Sequence, residues 1–562
     1  MDKSDEKQEK KSGFRLRLPK FKSVVALANS KLSIKYSAII LAASTLVSAL
    51  LGLLRDRLLN SYYLDTYPTG IDAYTAAFTI PDLLFSLITS GALAVSFIPV
   101  FNQRLVTGNK KSAWELSSSM INFMAILTFV ASVLIMIFAD PLVRYVVSPG
   151  LDESGTALAI SMMRVIAINP FLFSISAVLS SMQQAVSRFV FYALAPAVYN
   201  VGILIGITVF TNGVNLFGIQ VFEGGIMGVA LGVVFGALLQ LAVNIVGLAG
   251  LGFDYEFKIK WKNQGFKTVL SLLPARSLDQ CVDYVDNIVS TNLSSRMGAG
   301  TLRSFQQAMT LHQMPVNLIG VAISTAFFPK LTEEVGAGKE EAFRKTFRQA
   351  LRSIIWIALP VAIIAFFARG YVVSFIKNGG DATIASILAA LIISVFARSV
   401  YHIATRGFYA NQDTKTPLKV SCVSVGLIIM LSIAFYKLGL GAEGLGYAQS
   451  IGAMTEIVLL LSILQVRMKG RLLNKQFWHN VFKMLIATVI TGAVAYSMTK
   501  FFPLMATDDS VFSTLPKFAL ITIVSGVAYL TAGYFLNLDE VKTFVKSIKK
   551  RLPKKLRGRK KM

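Results

Sequence analysis

The sequence predicts an all-α polytopic membrane protein of about 14 transmembrane helices, with two pseudo-symmetric six-helix lobes and two C-terminal helices. Its 562 residues are 54% hydrophobic and only 15% charged, with a mean hydropathy of +0.60. A soluble protein of this length does not need so much apolar residue. Apolar runs long enough to cross a bilayer recur along the chain, and a short motif of the first half returns in the second.

The apolar runs define the predicted helices in order. Each is about 20 residues or longer, apart from a few that are interrupted by polar residues. The runs lie near residues 37–58, 71–101, 115–138, 157–183, 190–211, 225–252, 267–293, 304–328, 352–368, 382–405, 418–436, 444–465, 480–499 and 514–536.

The charges of the loops predict the orientation. Every second loop is basic, as in 258–267, 330–348 and 467–475, whereas the loops on the other side carry few or no cations. Cytoplasmic loops are enriched in Lys and Arg, so an even number of spans predicts that both termini are cytoplasmic. The loop expected to contain Arg296 and Arg303 fits this rule poorly.

An internal repeat predicts how the helices are grouped. The segment Gly91-Ala-Leu-Ala-Val-Ser-Phe-Ile-Pro99 resembles Gly320-Val-Ala-Ile-Ser-Thr-Ala-Phe-Phe-Pro329, and a second pair of similar segments ends at Pro196 and Pro417. Repeated halves are typical of transporters whose site lies near mid-membrane between the repeats. The predicted parts are a basic cytoplasmic tail at 1–35, an N-lobe at 36–252, a C-lobe at 266–467, a terminal helix pair at 479–537 and a second basic cytoplasmic tail at 538–562.

The net charge of +26 is concentrated in the two tails, which indicates anionic membrane lipids as partners rather than nucleic acid. Both cysteines, Cys281 and Cys422, lie in apolar segments, and the three histidines lack the spacing of metal ligands. No nucleotide-binding loop or hydrolase motif occurs. We therefore expect no enzyme, no metal and no cofactor.

The seventh predicted span carries a charged stripe: Arg276, Asp279, Asp283 and Asp286. Their spacing places them on one helix face over a rise of about 15 Å, half of the hydrocarbon thickness. Charges at such a depth face a protein interior or a water-filled cavity. Three acids against one base require protonation, another arginine or a bound cation, so the aspartates are candidates for coupling to Na⁺ or H⁺, with a purely structural role as the alternative.

Other charges are candidates for binding a polar cargo. Arg55 lies in the first span, where a cavity role and an interfacial role are equally good explanations, whereas Arg57 is better explained as an interfacial anchor. Asp72 is explained by an N-terminal helix position. Arg164 and Arg398 are expected to be buried cations, either paired structurally or suited to a phosphate.

Three motifs together are recognisable. They are Gly52-Leu-Leu-Arg-Asp56 with the segments Asp72–Phe85 and Gly91–Phe101, Pro315–Leu331, and Arg406–Pro417. The set resembles the MurJ/MviN family of bacterial lipid II flippases, in the multidrug/oligosaccharidyl-lipid/polysaccharide exporter superfamily, over about residues 36–537. The resemblance implies a monomer in a bacterial cytoplasmic membrane, with fourteen helices, two lobes around a central cavity and a tail groove at the last two helices. It also implies cavity positions for Arg55, Asp56, Asp72 and Arg276.

The chain also departs from that family. Where relatives typically have further cavity arginines, it has Ala49, Phe85-Ser86 and Thr310. A diphosphate needs compensating positive charge, which Arg164, Arg276 and Arg398 are candidates to supply. Some members resemble sodium-coupled carriers with acids in the seventh and eleventh helices, but the eleventh helix here has none.

The resemblance implies a flippase that moves an undecaprenyl-diphosphate-linked glycopeptide from the inner to the outer leaflet by alternating access. The expected head-group residues are Arg55, Asp56, Asp72, Arg164, Arg276 and Arg398, and the expected coupling residues are Asp279, Asp283 and Asp286. The alternatives are an exporter of another lipid-linked oligosaccharide, a cation-coupled drug exporter, and a membrane scaffold that transports nothing.

Overall fold

The computed structural model describes residues 34–88, 92–216, 219–469, 472–505 and 507–551. The chain is largely helical there, which confirms the predicted all-α membrane fold. Among these residues, ten helices are long and apolar enough to cross a membrane, or eleven if the bent pair Ala382–Ala390 and Ile392–Ala410 is one span. The predicted number of fourteen is not confirmed. The helix with the charged stripe, for example, forms but is not among the ten, since it is too rich in charge.

The first part of the chain contains nine helices and a small hairpin within the described residues. They are α1 (Ile34–Tyr63), α2 (Pro68–Ala77), α3 (Thr79–Ile88), α4 (Ala92–Val106), α5 (Lys110–Pro141), α6 (Glu153–Ile166), α7 (Asn169–Ala185), α8 (Val190–Thr208), the antiparallel strands β1 (Val214–Leu216) and β2 (Ile219–Phe222), and α9 (Met227–Gly247).

The second part contains helices and no strands in the residues that the structure describes. The helices are α10 (Gln264–Ser295), α11 (Thr301–Val316), α12 (Ala322–Gly336), α13 (Glu340–Phe367), α14 (Arg369–Ser374), α15 (Ala382–Ala390), α16 (Ile392–Ala410), α17 (Lys415–Lys437), α18 (Gly441–Arg467), α19 (Lys475–Phe501), α20 (Val511–Phe535) and α21 (Asp539–Arg551). A π-helical segment, Asn317–Val321, joins α11 to α12.

The proline of the repeated sequence motif lies inside a helix in both places. Pro99 lies within α4 and Pro329 lies within α12. Proline removes a backbone donor and disfavours a straight helix, so each copy of the motif interrupts the hydrogen bonding of its own helix.

The chain packs into two compact units, each taken as far as the structure describes it. Unit 1 contains the described residues within 1–55, 80–139 and 162–280, and unit 2 contains those within 56–79, 140–161 and 281–562. The division falls inside helices, between Arg55 and Asp56 in α1 and between Gln280 and Cys281 in α10. The boundaries of the lobes and tails given above stay predictions.

In unit 1, glycines allow α8 and α9 to approach closely. A Cβ atom on Gly202 would lie 2.2 Å from the Cα atom of Gly236, and one on Gly206 would lie 2.6 Å from that of Gly232. Those distances exclude any side chain at these positions. Small residues are a common means of packing helices in membranes, where backbone contact replaces the hydrophobic effect.

The apolar core of unit 2 lies among α13, α16, α18 and α19. Phe347 and Phe408 are fully buried there, together with Leu464 and Met484. Leu538 and Val541 belong to the same core, so the C-terminal helix α21 is attached to the bundle by buried apolar residues.

Candidate functional site

A buried charge cluster joins α1 and α2 to the start of α11 in unit 2. Arg303 places Nη2 3.2 Å from Oδ1 of Asp56, and both side chains are only 7% exposed. Its Nε donates to Oδ1 of Asn60 over 2.8 Å. Each member therefore has a polar partner, as buried charges require. We call Asp56, Asn60, Asp72 and Arg303 the charge cluster.

Asp72 completes the cluster by capping α11. Its carboxylate accepts hydrogen bonds from the backbone N–H groups of Gly300, at 2.6 Å, and Arg303, at 2.7 Å. Gly300 stands at the N-cap position with a φ of +84°, and as a glycine it has no side chain that can cap the helix. The expected helix-terminal role of Asp72 is thus found, but at α11 rather than at its own helix, where Asp72 lies beyond the first turn.

The end of α1 is tied to the segment that follows α14. Asn60 donates to the carbonyl of Ile376 over 2.9 Å. Lys377 bridges Asp65, at 2.7 Å, and Asp381, at 2.9 Å. Arg57, which the sequence explained as an interfacial anchor, donates to the carbonyl oxygens of Ser374 and Asp509. These contacts extend the attachment that the charge cluster begins.

A polar cavity of about 590 Å³ opens within unit 2 between α10, α11, α16 and α18. We call it the polar cavity. Its wall contains charged, amide, hydroxyl and imidazole side chains, together with the apolar side chains of Phe305, Met309, Met314 and Val316. The polar members are Asp286, Asn287, Ser290, Thr291, Gln306, Thr310, His312, Gln313, Asn317, Arg398, Tyr401, His402 and Gln449.

Two charged groups of the cavity wall are held by neighbours on α18. Gln449 donates its amide to Oδ2 of Asp286 over 2.6 Å. Arg398 lies 3.0 Å from Oε2 of Glu456, whose side chain is 2% exposed. Ser421 donates to the other oxygen of that carboxylate. Asp286 and Arg398 thus lie in one cavity, each with its orientation fixed by a second polar group.

Two histidines that are far apart in sequence meet at the same cavity. His312 on α11 is 3% exposed, and neither of its ring nitrogens finds a hydrogen-bond partner among the residues that the structure describes. His402 lies on α16, where the π-helical segment packs closely: a Cβ on Gly320 would be 3.1 Å from the His402 ring. No group of three or more His, Cys, Asp or Glu residues within the described ranges has the arrangement of a metal site.

In unit 1, Arg55 donates to Oδ1 of Asn200 on α8 over 3.2 Å. Arg164 was expected to be a buried cation, but its side chain is exposed and its Nε donates to the carbonyl of Met136 over 3.2 Å. The expected burial was wrong because Arg164 lies on the exposed side of α6, whereas the adjacent Met162 and Met163 are fully buried.

The structure locates the predicted site residues in several places. Asp56 and Asp72 join the charge cluster, Asp286 and Arg398 line the polar cavity, and Arg55 and Arg164 lie in unit 1. The backbone of α10 passes through Arg276, Asp279 and Asp283, but their side chains lie outside those that the structure describes.

Sequence reasoning missed several residues of these sites. It placed Arg303 in a loop, although the residue lies in α11 and is 5% exposed. Arg303 precedes Thr310 by two helical turns, so the eighth predicted span does carry an arginine. Glu456 offered a signal as a lone acid in an apolar run, whereas Gln449 and the two histidines gave none, since their convergence depends on tertiary packing.

Residues 62–514 match the model of a family described as the lipid II flippase MurJ. The chain is 27% identical over 518 residues to a probable lipid II flippase MurJ of Bdellovibrio bacteriovorus, covering 90% of this chain and 95% of that protein. It is 26% identical over 473 residues to a lipid II flippase MurJ of Burkholderia cenocepacia, covering 81% and 89%.

Solved structures show the same fold. A lipid II flippase MurJ in an inward closed conformation has a TM-score of 0.70 at 21% identity, covering 89% of this chain and 99% of that one. An inward-facing multidrug resistance transporter of the MATE family, in the MOP superfamily, has a TM-score of 0.64 at 15% identity, covering 77% and 98%. At such identities the likeness concerns the fold alone.

Proposed function

Because this chain belongs to the lipid II flippase MurJ family, we propose that it flips lipid II across the cytoplasmic membrane of a bacterium. The carried molecule is an undecaprenyl-diphosphate-linked glycopeptide, which moves from the inner to the outer leaflet by alternating access. The observation that carries this proposal is the match over nearly the whole length of relatives named as lipid II flippases. Both termini lie on the cytoplasmic side, and the carrier works as a monomer.

The polar cavity supports a role in holding the head group. A glycopeptide presents hydroxyl and amide groups, and the cavity wall supplies matching amides and hydroxyls, such as Gln306, Gln313 and Asn317. Polar side chains in such a cavity bond water when it is empty and bond the ligand when it is occupied. Ligand binding therefore does not leave these groups buried without a hydrogen bond. We assign the sugar and peptide portion of the head group to this cavity.

The diphosphate needs cations, and we propose Arg55 and Arg276 as its main ligands. The guanidinium of Arg55 donates to the neutral amide oxygen of Asn200, which orients the cation without cancelling its charge. Arg398 is the third candidate, but it already pairs with Glu456, so a phosphate has to compete with that carboxylate. We rank Arg164 last because its side chain is exposed. Asp56 and Asp72 support the site indirectly, through the charge cluster.

We propose that Asp279, Asp283 and Asp286 couple transport to Na⁺ or H⁺. Asp286 has an amide donor from Gln449, which stabilises the ionised carboxylate without neutralising it. A cation or a proton that arrives at Asp286 therefore changes the charge of the polar cavity.

The test is reconstitution of the purified chain into vesicles with fluorescent lipid II and an assay of its exposure on the opposite leaflet, with and without a sodium or proton gradient. We expect Arg55→Ala and Arg276→Ala each to reduce flipping at least tenfold, since each removes a charge-assisted contact. Arg296→Ala is the matched control: this exposed loop arginine bonds Asn292 and is expected to leave flipping unchanged. Normal flipping by both test variants would refute the head-group assignment.

A second lipid-linked oligosaccharide and a cationic dye, tested in the same vesicles, address the alternative substrates. The observation that favours them is the fold shared with a multidrug transporter. Faster movement of either compound than of lipid II would replace the proposed substrate.

A further inference from the structure

A second cavity of about 680 Å³ lies in unit 2, away from the polar cavity, where the first half of α13 meets the starts of α19 and α21. We call it the basic cavity. Its wall includes Lys345, Arg348, Arg352, Trp356, Asp539, Glu540 and Phe544. None of them belongs to the proposed transport site.

One face of α13 supplies the cations. Lys345, Arg348, Arg352 and Trp356 are separated by three, four and four residues, which aligns their side chains along the helix. Lys345 is exposed at the rim, and Arg348 directs Nη1 to the carbonyl of Leu472 over 3.1 Å. The basic side chains are therefore stacked along a single wall.

The carboxylates of α21 hold the third cation. Arg352 has its Nη2 3.2 Å from Asp539 and its Nε 2.7 Å from Glu540. These ion pairs attach α21 to α13 and leave an excess of positive charge in the wall, since three cations face two carboxylates. The N-terminus of α19, a helix of 27 residues, opens at the same place and adds the positive end of its dipole.

Aromatic rings complete the wall. Trp356 lies 5.7 Å from Phe544 and 6.4 Å from Tyr529, measured between ring centroids. Its ring N–H is enclosed and has no acceptor in the part of the chain that the structure describes. Phe544 is 40% exposed, beside the exposed Lys542 and Lys546. Aromatic rings together with basic residues are typical of the level where acyl chains meet head groups.

We propose that the basic cavity binds the phosphate group of an anionic phospholipid in the leaflet on the basic side of the membrane. The guanidinium of Arg348 and the ammonium of Lys345 bind the phosphate oxygens, while Arg352 stays with Asp539 and Glu540. The exposed ring of Phe544 contacts the first part of the acyl chains. A lipid held here bridges α13 and α21, so it stabilises the docked C-terminal helix. The site does not depend on the proposed transport function.

The test uses the purified full-length chain in detergent, with native mass spectrometry to measure binding of phosphatidylglycerol and of phosphatidylcholine. We expect phosphatidylglycerol to bind more tightly, and the double variant Lys345→Gln/Arg348→Gln to weaken its binding about tenfold, because two charge-assisted contacts are lost. The matched control is Lys415→Gln/Lys419→Gln, which removes the same charge from the exposed start of α17. It is expected to bind phosphatidylglycerol like the wild type.

Two further measurements test whether the loss of binding reflects the lost charge rather than misfolding, and whether the bound phosphate belongs to a lipid or to a free anion. Arg348→Lys keeps the charge and is expected to restore most of the affinity, with the circular dichroism spectra of all variants unchanged. Glycerol phosphate and inorganic phosphate, added at millimolar concentration, are expected not to displace the lipid. Equal losses in test and control variants would overturn the proposal, and so would displacement by free phosphate, which would assign the cavity to a soluble anion.

Discussion

At the scale of single residues, the Arg303–Asp56 pair is the most sensitive point of the charge cluster. Arg303→Gln leaves the carboxylate of Asp56 buried without its cation, and such a loss costs about 3 kcal/mol. We expect a clearly lowered thermal unfolding temperature in detergent, measured by intrinsic fluorescence. The double variant Asp56→Asn/Arg303→Gln is expected to recover much of that loss, because no charge is left uncompensated.

A matched arginine elsewhere provides the control for this pair. Arg344 forms an ion pair with Glu340 one turn earlier on α13, and the side chain of Glu340 is 71% exposed. The side chain of Arg344 is itself only 11% exposed, but the carboxylate stays in water, so loss of this pair leaves no buried charge and costs about 1 kcal/mol. Arg344→Gln is therefore expected to lower the unfolding temperature much less than Arg303→Gln. Equal effects would contradict the special role of the buried pair.

Asp413, in the turn between α16 and α17, gives a pH-dependent prediction. Burial alone would raise its pKa, but hydrogen bonds from Thr416 and Arg467 outweigh burial and lower the pKa to about 2. A carboxyl whose pKa is lower in the folded state stabilises the fold above its unfolded pKa of 3.8 and loses this contribution as the pH falls toward 2. The unfolding temperature of the wild type is expected to exceed that of Asp413→Asn at pH 6, and the difference is expected to shrink between pH 4 and pH 2. A constant difference would disprove the linkage.

The sequence predicted the residue types of the sites better than their partners. Charges within apolar runs, such as Asp286 and Arg398, are visible without a structure because their burial is costly. Their partners lie on α18, far away in sequence. Gln449 is 163 residues from Asp286, and Glu456 is 58 residues from Arg398. Arg303 was misassigned because an arginine close to a glycine-containing turn is usually part of a loop, and its buried carboxylate partner is not adjacent in sequence.

At the scale of helices, the contact between α8 and α9 depends on glycine. Gly202→Ala would place a Cβ 2.2 Å from Gly236, so the helices have to separate, at a cost of about 1–3 kcal/mol. We expect a lower unfolding temperature and less folded protein after extraction. Gly426→Ala on α17 is the control, since a Cβ at Gly426 meets no atom within 4 Å. This change is expected to be neutral or to stabilise by up to about 1 kcal/mol, because alanine favours helix.

The apolar runs of the sequence predicted the positions of the helices well, but they did not predict the breaks within them. The second predicted span consists of α2, α3 and α4, with a break at Phe78 that comes before the proline at 81. Proline marks where a backbone donor is missing, but neighbouring helices decide where the chain bends. The π-helical segment after α11 likewise has no clear sequence signal, because it accommodates the close approach of Gly320 to α16.

At the scale of the whole molecule, the access of water to the cavity of a carrier has to change during transport. In a Cys281→Ser/Cys422→Ser background, a cysteine at Asp286 is expected to react with a membrane-impermeant maleimide, and the rate is expected to change at least severalfold when lipid II is added. The polar cavity, which Asp286 lines, supplies the physical reason. The reaction rate is followed by a mass shift of the intact protein.

The control for this labelling is a cysteine at Ser294, which lies on the same helix and is fully buried. It is expected to react slowly under all conditions. A cysteine at 286 that reacts as slowly would indicate a scaffold that transports nothing, while labelling that is insensitive to lipid II would point to a static cavity.

The overall fold was predictable because the lipid bilayer imposes strong rules on composition, length and loop charge. The number of spans was less predictable. The α10 helix forms over 32 residues despite its charges, so hydropathy alone cannot decide whether it counts as a span. A cavity within a bundle permits such a helix, and only the tertiary structure reveals the cavity.

The backbone partners of Asp72 have a consequence for genetics. Its carboxylate is bound by the N–H groups of Gly300 and Arg303, which every replacement except proline at those positions retains. In a strain whose growth is impaired by Asp72→Ala, we therefore expect no substitution at Gly300 or Arg303 to restore growth. Second-site suppressors of Asp72→Ala are expected to be global stabilisers scattered over the fold, whereas suppressors of Arg303→Gln are expected to include changes at Asp56. Sequencing of revertants would show these two different patterns.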